Sequence, residues 1–175
     1  KAGLAAKSGA VRRALRDDMP TVRIAAMTTL AEAQATDVQQ RFLDIARTED
    51  GPEAIFACAA LFKLGHTEKL DDITSAATLP DPETRMAALG ILGRLKRPAS
   101  LAILSQAVYD PDPSVRAFAA GALGEFGSAS GVAPLTHAIG AAMAMVRGVA
   151  AARLGSLGTT QNRPSLLALT RDPNS

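Results

Sequence analysis

The sequence predicts an all-α chain, an alpha-solenoid of stacked helical hairpins, and three observations predict it. Residues recur at a fixed period of 31, so that stepping from Arg116 in both directions lands on Arg23, Ala54, Arg85, Arg116 and Arg147. Three places further on stand Ala26, Ala57, Ala88, Ala119 and Ala150, and seven further on stand Leu30, Leu61, Leu92, Leu123 and Leu154. The conserved offsets 0, +3, +4, +7 and +10 follow helical spacing. Two columns identical in five copies, without an insertion, mark a stacked-repeat architecture, because a unit this small buries its apolar face only against its neighbours.

Taken in order, residues 1–16 form a half repeat, with Val11, Ala14 and Leu15 at the second-helix offsets +19, +22 and +23. Complete repeats span 17–47, 48–78, 79–109, 110–140 and 141–171, and Asp172-Pro173 opens a further one at 172–175. Neither end carries the polar capping face of a finished solenoid, so the chain is expected to be a segment of a longer protein. Within each copy the first helix has a marked start. Asp81-Pro82-Glu83 and Asp112-Pro113-Ser114 place a capping carboxylate before a proline at the first helical position. Asp50-Gly51-Pro52-Glu53 is a looser version, and Met19-Pro20 and Met143-Ala144 are degraded ones. Gly65, Gly127 and Gly158 at offset +11 suit a left-handed C-terminal cap, with Gln34 and Lys96 at that place in the other copies.

The second helices carry an apolar ridge at +16, +19, +22 and +23. It reads Leu70, Ile73, Ala76 and Ala77, then Leu101, Leu104, Ala107 and Val108, then Val132, Leu135, Ala138 and Ile139. The first and fifth copies weaken at +16 to Gln39 and Arg163 and keep Phe42 and Leu166 at +19. The Ala and Gly columns, densest in "DPDPSVRAFAAGALGEFG" at 110–127, are then contact surfaces where helices approach closely.

This pattern, D-P-x-x-V-R-x-x-A-A-x-A-L-G-x-[FL]-G followed by a loop and a second helix, resembles the short HEAT-like repeat of the phycobilisome-lyase type. Residues 110–140 match it best, 79–109 and 141–171 match well, and 17–78 match with erosion. The resemblance implies a right-handed superhelix whose concave face is lined by the second helices. It speaks to architecture and is nearly silent on function.

The arginines at the repeat origin, Arg23, Arg85, Arg116 and Arg147, are read as a structural ladder paired with aspartates at helix starts, chiefly Asp81, Asp110 and Asp112. Ala54 lacks the arginine and Met143 replaces the aspartate before Arg147, so those two junctions are expected to be the least well tied.

The search for chemistry returns little. Cys58, the single cysteine, sits in a column otherwise held by Met27, Leu89, Ala120 and Ala151, which reads as a small buried hydrophobe rather than a nucleophile. His66 and His137 fall at different offsets and belong to no ligand cluster, so neither a metal nor a cofactor is expected. Asp71 and Asp72 open a second helix, where acidic groups are favoured by the helix dipole. Aromatics are 3% of the chain and net charge is +2, which steers toward neither membrane nor nucleic acid. No run of about 18 apolar residues exists for a membrane span, and cytoplasmic and exported locations are both compatible.

The leading expectation is a non-catalytic scaffold that binds a peptide or protein partner on the concave face. Its alternatives are a bilin lyase or accessory subunit, which the resemblance brings in, and a nucleic-acid binder, for which Arg12, Arg13, Arg16, Arg41 and Arg47 are available. Asp44, Asp71 and Asp72 interrupt that basic ridge, whereas a phosphate tracker needs basic groups in succession. The second-helix offsets left free of packing are charged in the first two copies and turn neutral from the third. There they present Ile103, Gln106 and Tyr109, then Pro134 and His137, as the expected partner site.

Overall fold

Proline at the first or second helical position starts five of the helices, as its missing N–H and fixed φ allow. The computed structural model describes residues 9–126, together with Gly148, Ala151, Ala152, Pro164 and Leu167, which are helical. Its elements are α1 (residues 9–14), α2 (Pro20–Glu32), a short 3-10 turn (Thr36–Val38), α3 (Gln39–Thr48), α4 (Gly51–Lys63), α5 (Lys69–Ala76), α6 (Pro82–Leu95), α7 (Pro98–Ala107) and α8 (Pro113–Phe126). The described residues contain no strand. Helices α2, α4, α6 and α8 are the first helices of successive copies, and α3, α5 and α7 are the second.

The chain divides into two compact units, Lys1–Ala76 and Ala77–Ser175. In the first, α4 packs against α2, α3 and α5. Its core joins Leu15, Met27, Leu30, Phe42, Ile45 and Leu61, all buried. In the second unit α6 lies along α8, and α7 packs on both. Leu89, Leu92, Leu104, Val115 and Leu123 are fully buried there. Each such leucine stabilises the fold by roughly 2 kcal/mol relative to exposure. The alanine column at +3 and the leucine column at +7 are buried in all four described copies.

Close helix approach explains the small residues. A Cβ placed on Gly93 of α6 would lie 3.0 Å from the Ala122 Cβ and 3.2 Å from the Ala122 carbonyl oxygen of α8. Neither position tolerates bulk, because backbone rather than a movable side chain stands opposite.

The helix ends follow the expected punctuation with one addition. Asp81 caps α6 by accepting from the Thr84 amide, and Asp112 accepts from the Ser114 and Val115 amides at the start of α8. Met19 and Asp50 make no side-chain cap bond. Gly65 adopts φ +107°, with the His66 amide donating to the Leu61 carbonyl and the Gly65 amide to Phe62, the Schellman arrangement. At the same offset, Gln34 and Lys96 adopt φ 53° and 50°. The cap geometry is therefore kept where the glycine is not, and these two side chains carry the strain.

Candidate functional site

The arginine at the repeat origin is the residue from which the site is built. Arg85, one turn into α6, extends back over the loop before its own helix. Its Nη1 donates to the Leu79 and Pro80 carbonyls at 2.9 and 2.8 Å. Its Nε and Nη2 form a fork on Asp110, at 2.9 and 2.8 Å. Both partners are largely buried, with side chains 9% and 10% exposed. Hydrogen bonding to Asp110 raises the Arg85 guanidinium above its ordinary pKa. Asp110 also accepts from the Asp112 amide, and the Arg116 Nη1 holds the Asp110 and Pro111 carbonyls at 2.8 and 2.9 Å. Two loops are thus fixed from one guanidinium.

The same device recurs in the other unit. Arg23 donates from Nη1 to the Asp17 and Asp18 carbonyls, six and five residues before it, as Arg85 and Arg116 do. Its fork closes on Glu53, at 2.6 and 2.5 Å. The ladder reading expects an aspartate there, and the structure supplies a buried glutamate from the first turn of α4 instead. Asp81 and Asp112 serve as helix caps, and their charges add to that of Asp110 in raising the Arg85 guanidinium. Arg147 lies outside the described residues.

The loops held by Arg85 rim a cavity of about 610 Å³ in the second unit. Leu79, Pro80, Tyr109 and Pro111 from the loops line it together with Ile103 and Gln106 of α7 and the Arg85–Asp110 pair. Tyr109 is 59% exposed and Leu79 45%, large apolar surfaces for a chain with one tyrosine and no tryptophan. The structure brings Ile103, Gln106 and Tyr109 together in this one groove. Pro134 and His137 lie outside the described residues.

Sequence reasoning from the second helices alone misses Leu79, Pro80 and Pro111, which come from loops. A signal for them exists in the Pro-containing turn before each Asp-Pro helix start. Periodicity counts on helical faces pass over it.

Elsewhere Cys58 is 4% exposed, and burial pushes its thiol above the ordinary value, which opposes nucleophilic use. His66 Nδ1 lies 3.1 Å from Glu68 Oε1 in the turn after Gly65. Among the described residues no group of three or more His, Cys, Asp or Glu is placed to hold a metal ion. Among them, too, no helix is long and apolar enough to cross a membrane.

A family profile described as HEAT repeats matches residues 40–111 and 101–175. No curated protein matches the chain. Among solved structures it is similar to an engineered protein of the Northeast Structural Genomics Consortium, with 16% identity over 95% of this chain and 90% of that one, at a TM-score of 0.60. It is also similar to the complex of CpcE and CpcF of phycocyanin lyase from Nostoc sp. PCC7120, with 16% identity, 90% and 79% coverage and a TM-score of 0.45. Human deoxyhypusine hydroxylase in complex with glycerol gives 17% identity, 95% and 78% coverage and a TM-score of 0.41.

Proposed function

The chain belongs to the HEAT repeat family, and from that premise we propose that it is a non-catalytic scaffold holding a peptide or protein segment on the exposed face of its second helices. The observation that carries the reading is the groove at Ile103, Gln106 and Tyr109. It combines an exposed aromatic anchor and apolar lining residues with a buried ion pair. The buried arginine fork ties the two loops of the lining together by hydrogen bonds. A tyrosine contributes large contact area at low conformational entropy cost, which suits a partner anchor. The buried, proton-holding Cys58 supports the non-catalytic side of the proposal.

The test is a selection of peptides from a displayed random library on the whole chain, followed by affinity measurement on the Tyr109→Ala variant. The reading expects selected peptides to lose at least about tenfold in affinity, the scale of a hot-spot residue, while helicity and melting temperature hold. Unchanged affinity with a lowered melting temperature would make Tyr109 a structural cover and overturn the proposal.

A further inference from the structure

The other unit carries a groove of opposite character. About 630 Å³ in volume, it is lined by Arg12 and Arg13 of α1, Arg16 just after that helix and Arg41 of α3, against the single carboxylate of Asp37. Asp37 is already engaged: Arg12 closes a fork on it, Nε to Oδ2 and Nη2 to Oδ1, both at 2.8 Å. Arg13, Arg16 and Arg41 are exposed, and none of them forms an ion pair with a carboxylate among the described residues. The half-buried Val38 adds apolar surface to the lining, beside the core residue Leu15.

Four guanidiniums converging on one concavity, with one carboxylate to answer them, make a local field that attracts anions. Their planar forks match carboxylates two bonds at a time. The extent of the patch decides between anionic partners. Asp17 and Asp18 follow Arg16 directly, and Asp44 stands on α3 one turn beyond Arg41. Arg13 and Arg16 also line a second depression together with Asp17 and Asp18, so carboxylates flank the basic groove on that side. A phosphodiester chain needs basic groups in succession along its length and would meet these carboxylates. A peptide carboxylate needs only one or two of the exposed forks, and the aliphatic part of its side chain finds the half-buried Val38.

We infer that this groove is a docking site for a short Asp/Glu-rich peptide segment of a partner protein. The site shares no residue with the Tyr109 groove and does not depend on it.

The probe is a fluorescein-labelled octaglutamate peptide, titrated with the whole chain and followed by anisotropy at low and at physiological salt. A single-stranded oligonucleotide of equal charge is titrated beside it. The inference expects the peptide to bind more tightly than the oligonucleotide. It expects the Arg16→Ala/Arg41→Ala variant to lose at least about tenfold, Tyr109→Ala and Arg94→Ala to lose nothing, and Arg16→Lys/Arg41→Lys to fall between, because charge remains and the fork is lost. Should the alanine variant misfold by circular dichroism, the lysine variant carries the test alone, and full wild-type affinity in it overturns the inference. Tighter binding of the oligonucleotide overturns it in favour of nucleic acid. Absence of peptide binding at low salt, or an equal loss in Arg94→Ala, overturns it as well.

Discussion

The second and third copies of the repeat keep complementary halves of the same motif. The loop before α6 is fastened by Arg85 through the Leu79 and Pro80 carbonyls and ends in Asp81, which caps the helix. The loop before α4 faces Ala54 where that arginine would stand, and Asp50 makes no side-chain cap bond. Its fastening comes from the preceding copy, through Arg23 on Glu53. At the C-terminal end of the first helix the advantage reverses: the second copy has Gly65 in the left-handed cap and the third has Lys96. The division between the two compact units falls after Ala76, at the end of the copy that lacks the arginine. The comparison teaches that a repeat is held by several independent devices, and that a copy survives the loss of some while the columns at +3 and +7 remain.

Removal of the fork in the third copy has the largest expected effect. Arg85→Ala leaves the Asp110 carboxylate largely buried without its partner and frees two loop carbonyls. The loss should be about 3–5 kcal/mol, the range for breaking one side of a buried pair. Chemical denaturation reads it, and a loss below about 1 kcal/mol would mean that the loops hold themselves.

Next comes the approach of α6 to α8. Gly93→Ala should cost about 1–3 kcal/mol by overpacking against the Ala122 backbone. Gly90→Ala should be much milder. Its added Cβ meets the tip of the Arg94 side chain at an ordinary 3.7 Å and, closely, the ring of Phe118, which is 43% exposed and can swing away, and alanine favours the helix by about 1 kcal/mol over glycine. Equal melting temperatures for the two variants would show that close backbone contact is not what selects glycine at Gly93.

Smaller effects come from exchanging the two half-motifs. Ala54→Arg should give the second copy a guanidinium placed to reach the Thr48 and Glu49 carbonyls, with a gain of about 1 kcal/mol for the new hydrogen bonds. Lys96→Gly should stabilise the third copy by a similar amount, about 1 kcal/mol, by relieving a left-handed non-glycine residue. Denaturation midpoints check both, and a loss of stability in Ala54→Arg would mean that the arginine and its loop are matched in ways beyond spacing.

The smallest effect is one of pH. Hydrogen bonds from the Thr84 hydroxyl and amide hold the Asp81 carboxyl below its ordinary value. A depressed folded pKa stabilises the protein above the unfolded value and loses that contribution as pH falls through the folded one. The melting advantage of wild type over Asp81→Asn, which keeps the cap but does not titrate, should therefore shrink as pH drops from about 5 to about 3. An advantage that grew on acidification would contradict the bonding seen at the α6 start.

The helical repeat, its period and its buried columns are legible in the residues alone. Those features are written as apolar spacing, and apolar spacing is what burial selects. Ala57, Leu61, Ala88, Leu92, Ala119 and Leu123 could be placed inside without coordinates, and so could the left-handed cap at Gly65. What the arginines hold is set by the packing of the folded chain. The carbonyls of Asp17, Asp18, Leu79, Pro80, Asp110 and Pro111 are backbone atoms that every residue possesses, so no pattern of side chains announces them. Glu53 answers Arg23 in place of the expected aspartate because a fork closes on whichever carboxylate the helix start brings within reach, and the third dimension sets that reach. The two grooves have the same origin. Tyr109 and Leu79, or Arg16 and Arg41, are far apart along the chain, and only the folding of loops against helices makes each set one surface.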